Sequence, residues 1–334
     1  MMRAAKPHRF SAPRQQGVAL LLAMLIVTLV STLAAGMVWQ QWRAFEVESA
    51  TRLRQQARWL TAGALDWAMV VLRTDARSSG ETDTLTEIWA QGLEETSLAT
   101  FLAADKNNNA DLTAQTSLEA FLSGHIEDAQ GRYNLRNLLS STGARRQAQQ
   151  AILERLCDSV GLPRSTAERV AQLLRAARVA EQQWSQEGAQ GSATAGLPLR
   201  PRRFSQLRWL GLDDVTLEKL RPLVTLLPRP TPVNLNTASV DVLAAVIPGM
   251  DRASAQRLAQ ERLTRRRGFE QVEDARPFLP AQYKPEQDLG VGTMYFEITA
   301  QLRYEGHLLR EVVLVRRQGE ELRVLWRESV AGIP

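Results

Sequence analysis

The run VALLLAMLIVTLVSTLAAGMVW, Val18 to Trp39, carries no charge, and it commits part of this chain to leaving water. Its 22 residues reach ~33 Å as a helix at ~1.5 Å each, enough to cross the ~30 Å hydrocarbon layer of a bilayer. A core helix of a soluble protein is the competing reading, but such helices keep a polar face and this run has none. Arg3, Lys6, Arg9 and Arg14 precede it, and a basic flank prefers the cytoplasmic side, so everything after Trp39 is expected on the other side. A removable secretory signal also begins with basic residues, yet its apolar part is shorter and ends at a small-x-small site. Here the processing point is Gly17, ahead of the run, so a cut there leaves the helix on the mature chain.

The helical pattern continues past Trp39. Leu53, Ala57, Leu60, Ala64, Trp67 and Val71 recur at steps of three and four, with Arg52, Arg54, Arg58 and Asp66 between them, as in a helix that lays one face on a domain. One helix from Val18 to Arg73 is expected, ended by the turn formers of DARSSGE. The stretch Ala104 to Thr116 is polar, and Asp105, Asn107, Asn109 and Asp111 alternate in it. A loop wrapped around a cation would aim those four oxygens inward, which is calcium chemistry. The stretch lacks the central Gly and distal Glu of an EF-hand, and a solvated surface loop is the preferred reading. SGHIEDAQGRYNL, Ser123 to Leu135, reads as a β-hairpin turning at Ala129 to Gly131. Near the other end YFEITAQLRY, LLREVVLVRR and ELRVLWRES alternate between turns, giving a three-stranded antiparallel meander that is expected to join the hairpin in one sheet on the helix.

Between Asn137 and about Asp288 the pattern is helical and repetitive. VGLPRSTAERVAQLL from Val160, LGLDDVTLEKLRPLV from Leu210 and PGMDRASAQRLAQER from Pro248 align without gaps. Gly161, Gly211 and Gly249 are corners where a left-handed residue ends one helix, and the Leu or Met behind each plugs the corner. VNLNTASVDVLAAVI leads into the third copy, with Asn236 or Thr237 as its expected helix cap. This unit resembles helix-hairpin-helix modules, whose corner amides grip DNA phosphates. Those modules commonly carry a second Gly where this chain has Asp251, whose carboxylate repels a phosphate, so the copies are read as packing units.

Charge and chemistry narrow the function classes. The net charge of +5 and pI of about 9.8 come from Arg with acids interspersed, which leaves no concentrated basic stripe for nucleic acid. Cys157 is the only cysteine, excluding an intrachain disulfide, and its apolar setting AILERLC is that of a buried thiol. The three histidines, His125 among them, are isolated, and no nucleophile set, phosphate loop or paired acids stand at informative spacing. No enzyme activity and no small-molecule substrate are expected.

The basic leader, Gly17 and the uncharged helix running into an amphipathic one resemble the class III signal of type IV pilins and type II secretion pseudopilins. That resemblance implies a prepilin peptidase cutting between Gly17 and Val18 and methylating Val18. The family's fifth mature residue is usually Glu, and here it is Leu22. Together with IEDAQGRYNL and VNLNTASVDVLAAVIPGM, these features resemble the minor pseudopilin K family of the type II secretion system over nearly the whole mature chain. The resemblance implies an inner-membrane protein with one span, a cytoplasmic N-terminus and a periplasmic head. It also implies a place at the tip of the pseudopilus, a part in starting its assembly, partners among the other minor pseudopilins, and calcium as the one cofactor. Asp105, Asn107, Asn109 and Asp111 are candidate ligands from loop chemistry alone.

The fold expected is α+β: a pilin-like long N-terminal helix on a small antiparallel sheet, with a large all-α insertion of helical hairpins. The parts are a leader at 1–17, a transmembrane stretch at 18–39, an amphipathic spine at 40–75, head segments at 76–135 and 290–330, and the inserted helical domain at 136–289. A membrane-anchored DNA-binding protein using the hairpins is the alternative.

Overall fold

The computed structural model describes residues 16–78, 80–98, 100, 120–139, 143–187, 199–304 and 306–332, in two compact units, Met1–Trp59 and Leu60–Pro334. Helix α1, Gln16–Ser78, contributes residues to both. In the first unit it carries the uncharged run, where Val18, Leu25, Leu33 and Trp39 are all more than half exposed. The helix is long and apolar enough to cross a membrane.

Among the described residues the elements after α1 run in the order β1 Leu93–Ser97, β2 Ala120–Asp128, β3 Tyr133–Asn134, α2 Gly143–Ser159, α3 Arg164–Glu187, α4 Asp214–Leu220, β4 Val224–Thr225, β5 Val233–Asn234, α5 Val240–Val246, α6 Arg252–Thr264, β6 Leu289–Gly290, β7 Tyr295–Tyr304, β8 His307–Gln318 and β9 Glu321–Gly332. A five-stranded antiparallel sheet has the order β1-β2-β7-β8-β9. Ile126, Ile298 and Val313 stand opposite one another across β2, β7 and β8, so their alternating side chains share one face. That face receives Leu65, Ala68 and Leu72 of α1, and Trp89 closes the core edge-on against Phe296 at 5.2 Å between ring centroids. The buried line on α1 lies one position on from the expected Ala64, Trp67 and Val71, and Trp67 is 47% exposed. Both lines lie on one apolar arc, and the small Ala68 at the centre of the observed one lets helix and sheet approach.

The expected hairpin at Ser123 to Leu135 does not form. The Asp128 carboxylate accepts a 2.7 Å bond from Gln130 N, which starts a 3₁₀ turn at Ala129–Gly131 and carries the chain out of the sheet. Residues Tyr133 and Asn134 then pair in parallel with Val224 and Thr225 instead. The helical block is also not purely α, because it holds two such two-stranded parallel pieces, β3 with β4 and β5 with β6.

Those pieces divide the block into two units of the same plan, in which a short strand ending in Asn, a helix pair turning at Gly and a 3₁₀ turn lead to a closing strand. Asn134 Oδ1 accepts from Arg136 N at 3.0 Å and Asn234 Oδ1 from Asn236 N at 2.9 Å, the same turn made twice. Leu138, Leu153, Leu156, Leu207, Leu243 and Leu258 belong to one continuous core through both units. Cys157 lies buried in it, and burial pushes its thiol up to about 11, as suits an inert packing residue.

The three corner glycines have φ of 68°, 75° and 76° at Gly161, Gly211 and Gly249, the left-handed region. At the first, Gly161 N donates to Asp158 O and Leu162 N to Cys157 O, the paired bonds that satisfy a helix's last carbonyls. Leu162, Leu212 and Met250 are buried behind the corners.

Candidate functional site

Four segments far apart in sequence place polar groups at one buried junction. Asp83 follows α1, Asp128 ends β2, Asn234 ends β5, and Arg317 lies near the end of β8. Asn234 Nδ2 donates to Asp128 Oδ2 at 2.8 Å and to Asp83 O at 3.1 Å, and Thr237 Oγ1 donates to the same Asp128 oxygen at 2.6 Å. Thr293 N donates to Asp83 Oδ2 at 2.7 Å. Arg317 forks between Asp83 and Asp75, reaching Asp75 Oδ2 at 2.9 Å, and all three side chains are buried. The junction ties the helical block to the sheet and to the end of α1. Burial pushes the Asp83 carboxyl up to about 7, with Arg317 pulling the other way, and burial also raises Asp128 against its hydrogen bonds to Thr237, Thr293 and Asn234.

Carboxylate oxygens of Asp75, Asp83 and Glu87 lie within 4.8 Å of one another, a cluster compatible with a cation. Their oxygens already have donors: Arg317 serves Asp75 and Asp83, and Glu87 Oε2 takes Trp89 Nε1 at 2.5 Å and Thr84 N at 3.2 Å. Calcium wants six to eight oxygens and no competing cation. A guanidinium stands where the ion's charge would be, so this cluster does not fit calcium. Asp105, Asn107, Asn109 and Asp111 lie outside the described residues.

Gly17, Val18 and Leu22 fall in the first turns of α1, with Val18 and Leu22 exposed. The corner residue Asp251 has a local role, accepting a 2.6 Å bond from Ser254 N as the N-cap of α6, and Asp213 does the same for Thr216 N at α4. At α6 the carboxylate takes an amide that a phosphate would need, which agrees with a packing unit. The expected cap of α5 is displaced: Ser239 caps it, while Asn236 is buried and holds Phe269 O at 3.0 Å and Phe269 N at 2.8 Å. No spacing in the sequence singles out Asp83, Asn234, Thr293 or Arg317. The available signal is that IEDAQGRYNL and VNLNTAS, whose polar residues meet here, are rich in Asn and Asp beside strand patterns.

Two family models, each described as type II secretion system (T2SS) protein K, match residues 131–229 and 233–290, stretches that contain the two strand-bounded helical units. The type II secretion system protein K of Pseudomonas aeruginosa is 27% identical over 338 residues, covering 95% of this chain and 94% of the relative. That of Klebsiella pneumoniae is 29% identical over 271 residues, covering 75% and 76%. The fold is similar to a chain in the crystal structure of the GspK-GspI-GspJ complex from the enterotoxigenic Escherichia coli type 2 secretion system, with a TM-score of 0.60, 22% identity, and coverage of 85% of this chain and 99% of that one.

Proposed function

This chain belongs to the type II secretion system protein K family, and from that premise we propose that it caps the tip of the periplasmic pseudopilus and helps start its assembly. The family is a structural component of secretion, so the chemistry to explain is assembly, not catalysis. The single observation that carries the tip reading is Leu22. In pseudopilins the fifth-position Glu neutralises the N-terminal amine of a neighbour in the apolar filament core, where an unpaired charge costs several kcal/mol. A subunit with no neighbour above it has no such amine to meet. The helical block between β2 and β7 supports the same reading, because a second domain-sized body at 136–289 would collide with the next subunit of a tightly wound shaft.

Prepilin peptidase cuts between Gly17 and Val18 in this reading, leaving α1 in the inner membrane with the head in the periplasm. Other minor pseudopilins bind along the spine helix. The similar solved structure is a complex of GspK with GspI and GspJ, which supports partners of that kind. Calcium is the cation the family resemblance implies, and Asp105, Asn107, Asn109 and Asp111 are its candidate ligands. Labelling the head in assembled pseudopili and locating the label by electron microscopy tests the tip. Label at one end agrees, and label spaced along the shaft rejects it. Leu22→Glu should leave secretion near the wild-type level if the position faces no amine.

A further inference from the structure

Independently of the secretion reading, we propose that the surface of the first helical unit where Arg136, Arg178, Arg200 and Arg202 converge is a binding site for a phosphate group. Arg136, in the 3₁₀ turn after β3, donates from Nε to Leu227 O at 3.1 Å and from Nη2 to Pro201 O at 3.5 Å, which sets its guanidinium beside the segment holding Arg200 and Arg202. Arg178, on α3, reaches Leu139 O at 2.6 Å at the other end of the same turn. Glu181, one turn further along α3, is ion-paired with Arg200 and lies 3.8 Å from Arg202.

Glu181 pairs with Arg200 and Arg202, and these two, with Arg178, are the cations whose charges act on Arg136. Arg136 is held down to about 10, first by burial and then by the charges of Arg200, Arg178 and Arg202, with Glu181 the one opposing charge. Among the described residues two buried donors in the group have no acceptor, Arg136 Nη1 and Arg200 Nε. Buried donors normally find partners, so an unfilled pair inside a surplus of positive charge marks a place for an anion. The way in is open: the Arg202 side chain is 80% exposed and that of Arg200 29%. Guanidinium forks match the oxygens of phosphate, which offers more acceptors than a carboxylate, and which carries up to two charges as inorganic phosphate and one as a phosphodiester. The group is supplied either as free inorganic phosphate or as the phosphodiester of a lipid headgroup.

The test uses the full chain in a phosphate-free, non-ionic detergent. Thermal unfolding and titration calorimetry are run at constant ionic strength in sodium chloride, with inorganic phosphate added in one arm and dimethyl phosphate in the other. The proposal expects a saturable rise in melting temperature of a few degrees, with binding at least tenfold weaker in Arg202→Gln and Arg136→Gln. Arg202 is exposed, so its variant keeps the test valid if the buried Arg136→Gln fails to fold. Stronger binding of inorganic phosphate assigns the free dianion, and stronger binding of dimethyl phosphate assigns the lipid diester. Identical unfolding in phosphate and chloride, or a phosphate effect of the same size in Arg202→Gln, overturns the site.

Discussion

The Asp128 carboxylate at the end of β2 accepts a 2.8 Å hydrogen bond from Asn234 Nδ2 across 106 residues of chain. The same amide group reaches Asp83 O at 3.1 Å, so one side chain joins the sheet, the segment after α1 and the helical block. Asn234→Ala leaves a buried carboxylate and a buried carbonyl short of a donor, a loss of about 2–4 kcal/mol. Urea unfolding of wild type and variant measures it. A variant within about 0.5 kcal/mol of wild type would mean the junction holds these parts together only weakly.

The junction is also expected to make stability depend on pH. Asp83 sits at about 7, above its ordinary 3.8. Between those values the folded chain keeps a proton that the unfolded chain has released, so stability falls as pH rises through the window and levels off above about 7. Each pH unit within that window changes stability by ~1.4 kcal/mol at most. Wild type should lose stability relative to Asp83→Asn between pH 4 and 7 in urea unfolding at each pH. Asp128, raised by burial in the same direction, adds a slope of the same sign in both proteins. A difference that stays constant over that range would show Asp83 ionised at its ordinary value.

Backbone conformation, not space, fixes the hairpin corners. Gly249 has φ of 76° and nothing within 4 Å of an added Cβ, so Gly249→Ala should cost the left-handed strain alone, about 1–2 kcal/mol. Gly143 opens α2 with equal room and no positive φ, and Gly143→Ala should be neutral or stabilising by up to ~1 kcal/mol. Chemical denaturation of both separates them, and equal costs would remove the conformational explanation.

The elements most legible in the sequence are those whose signal is local. The uncharged run, the Gly corners with their buried Leu or Met, and the alternation of β7, β8 and β9 each need only a short window of residues. Long-range partnership is not legible in that way. Tyr133 follows a turn after β2 and reads as the return strand of a hairpin, yet its partner is Val224, chosen by packing in the helical block. Arg317 looks like one more surface cation on an alternating strand, and only folding brings Asp75 and Asp83 to it. Asn236 reads as a helix cap because cap and buried turn residues share the same chemistry, while Ser239 takes the cap.

Calcium is expected to raise the melting temperature of the full chain, since an ion bound only by the folded state stabilises it by mass action. Calorimetry with calcium and with chelator measures the shift. Asp105→Asn with Asp111→Asn should abolish it, and Asp83→Asn should not, because Arg317 already supplies the charge at that carboxylate. Equal transitions with calcium and chelator would remove Asp105, Asn107, Asn109 and Asp111 as candidate ligands.

Mass spectrometry of the mature N-terminus, on chain isolated from membranes in the presence of its prepilin peptidase, tests the pseudopilin account most directly. Val18 at the N-terminus with a methylated amine is the result the account predicts. An intact Met1, or a cut after Ala35 or Gly36 that removes the apolar helix, would contradict it.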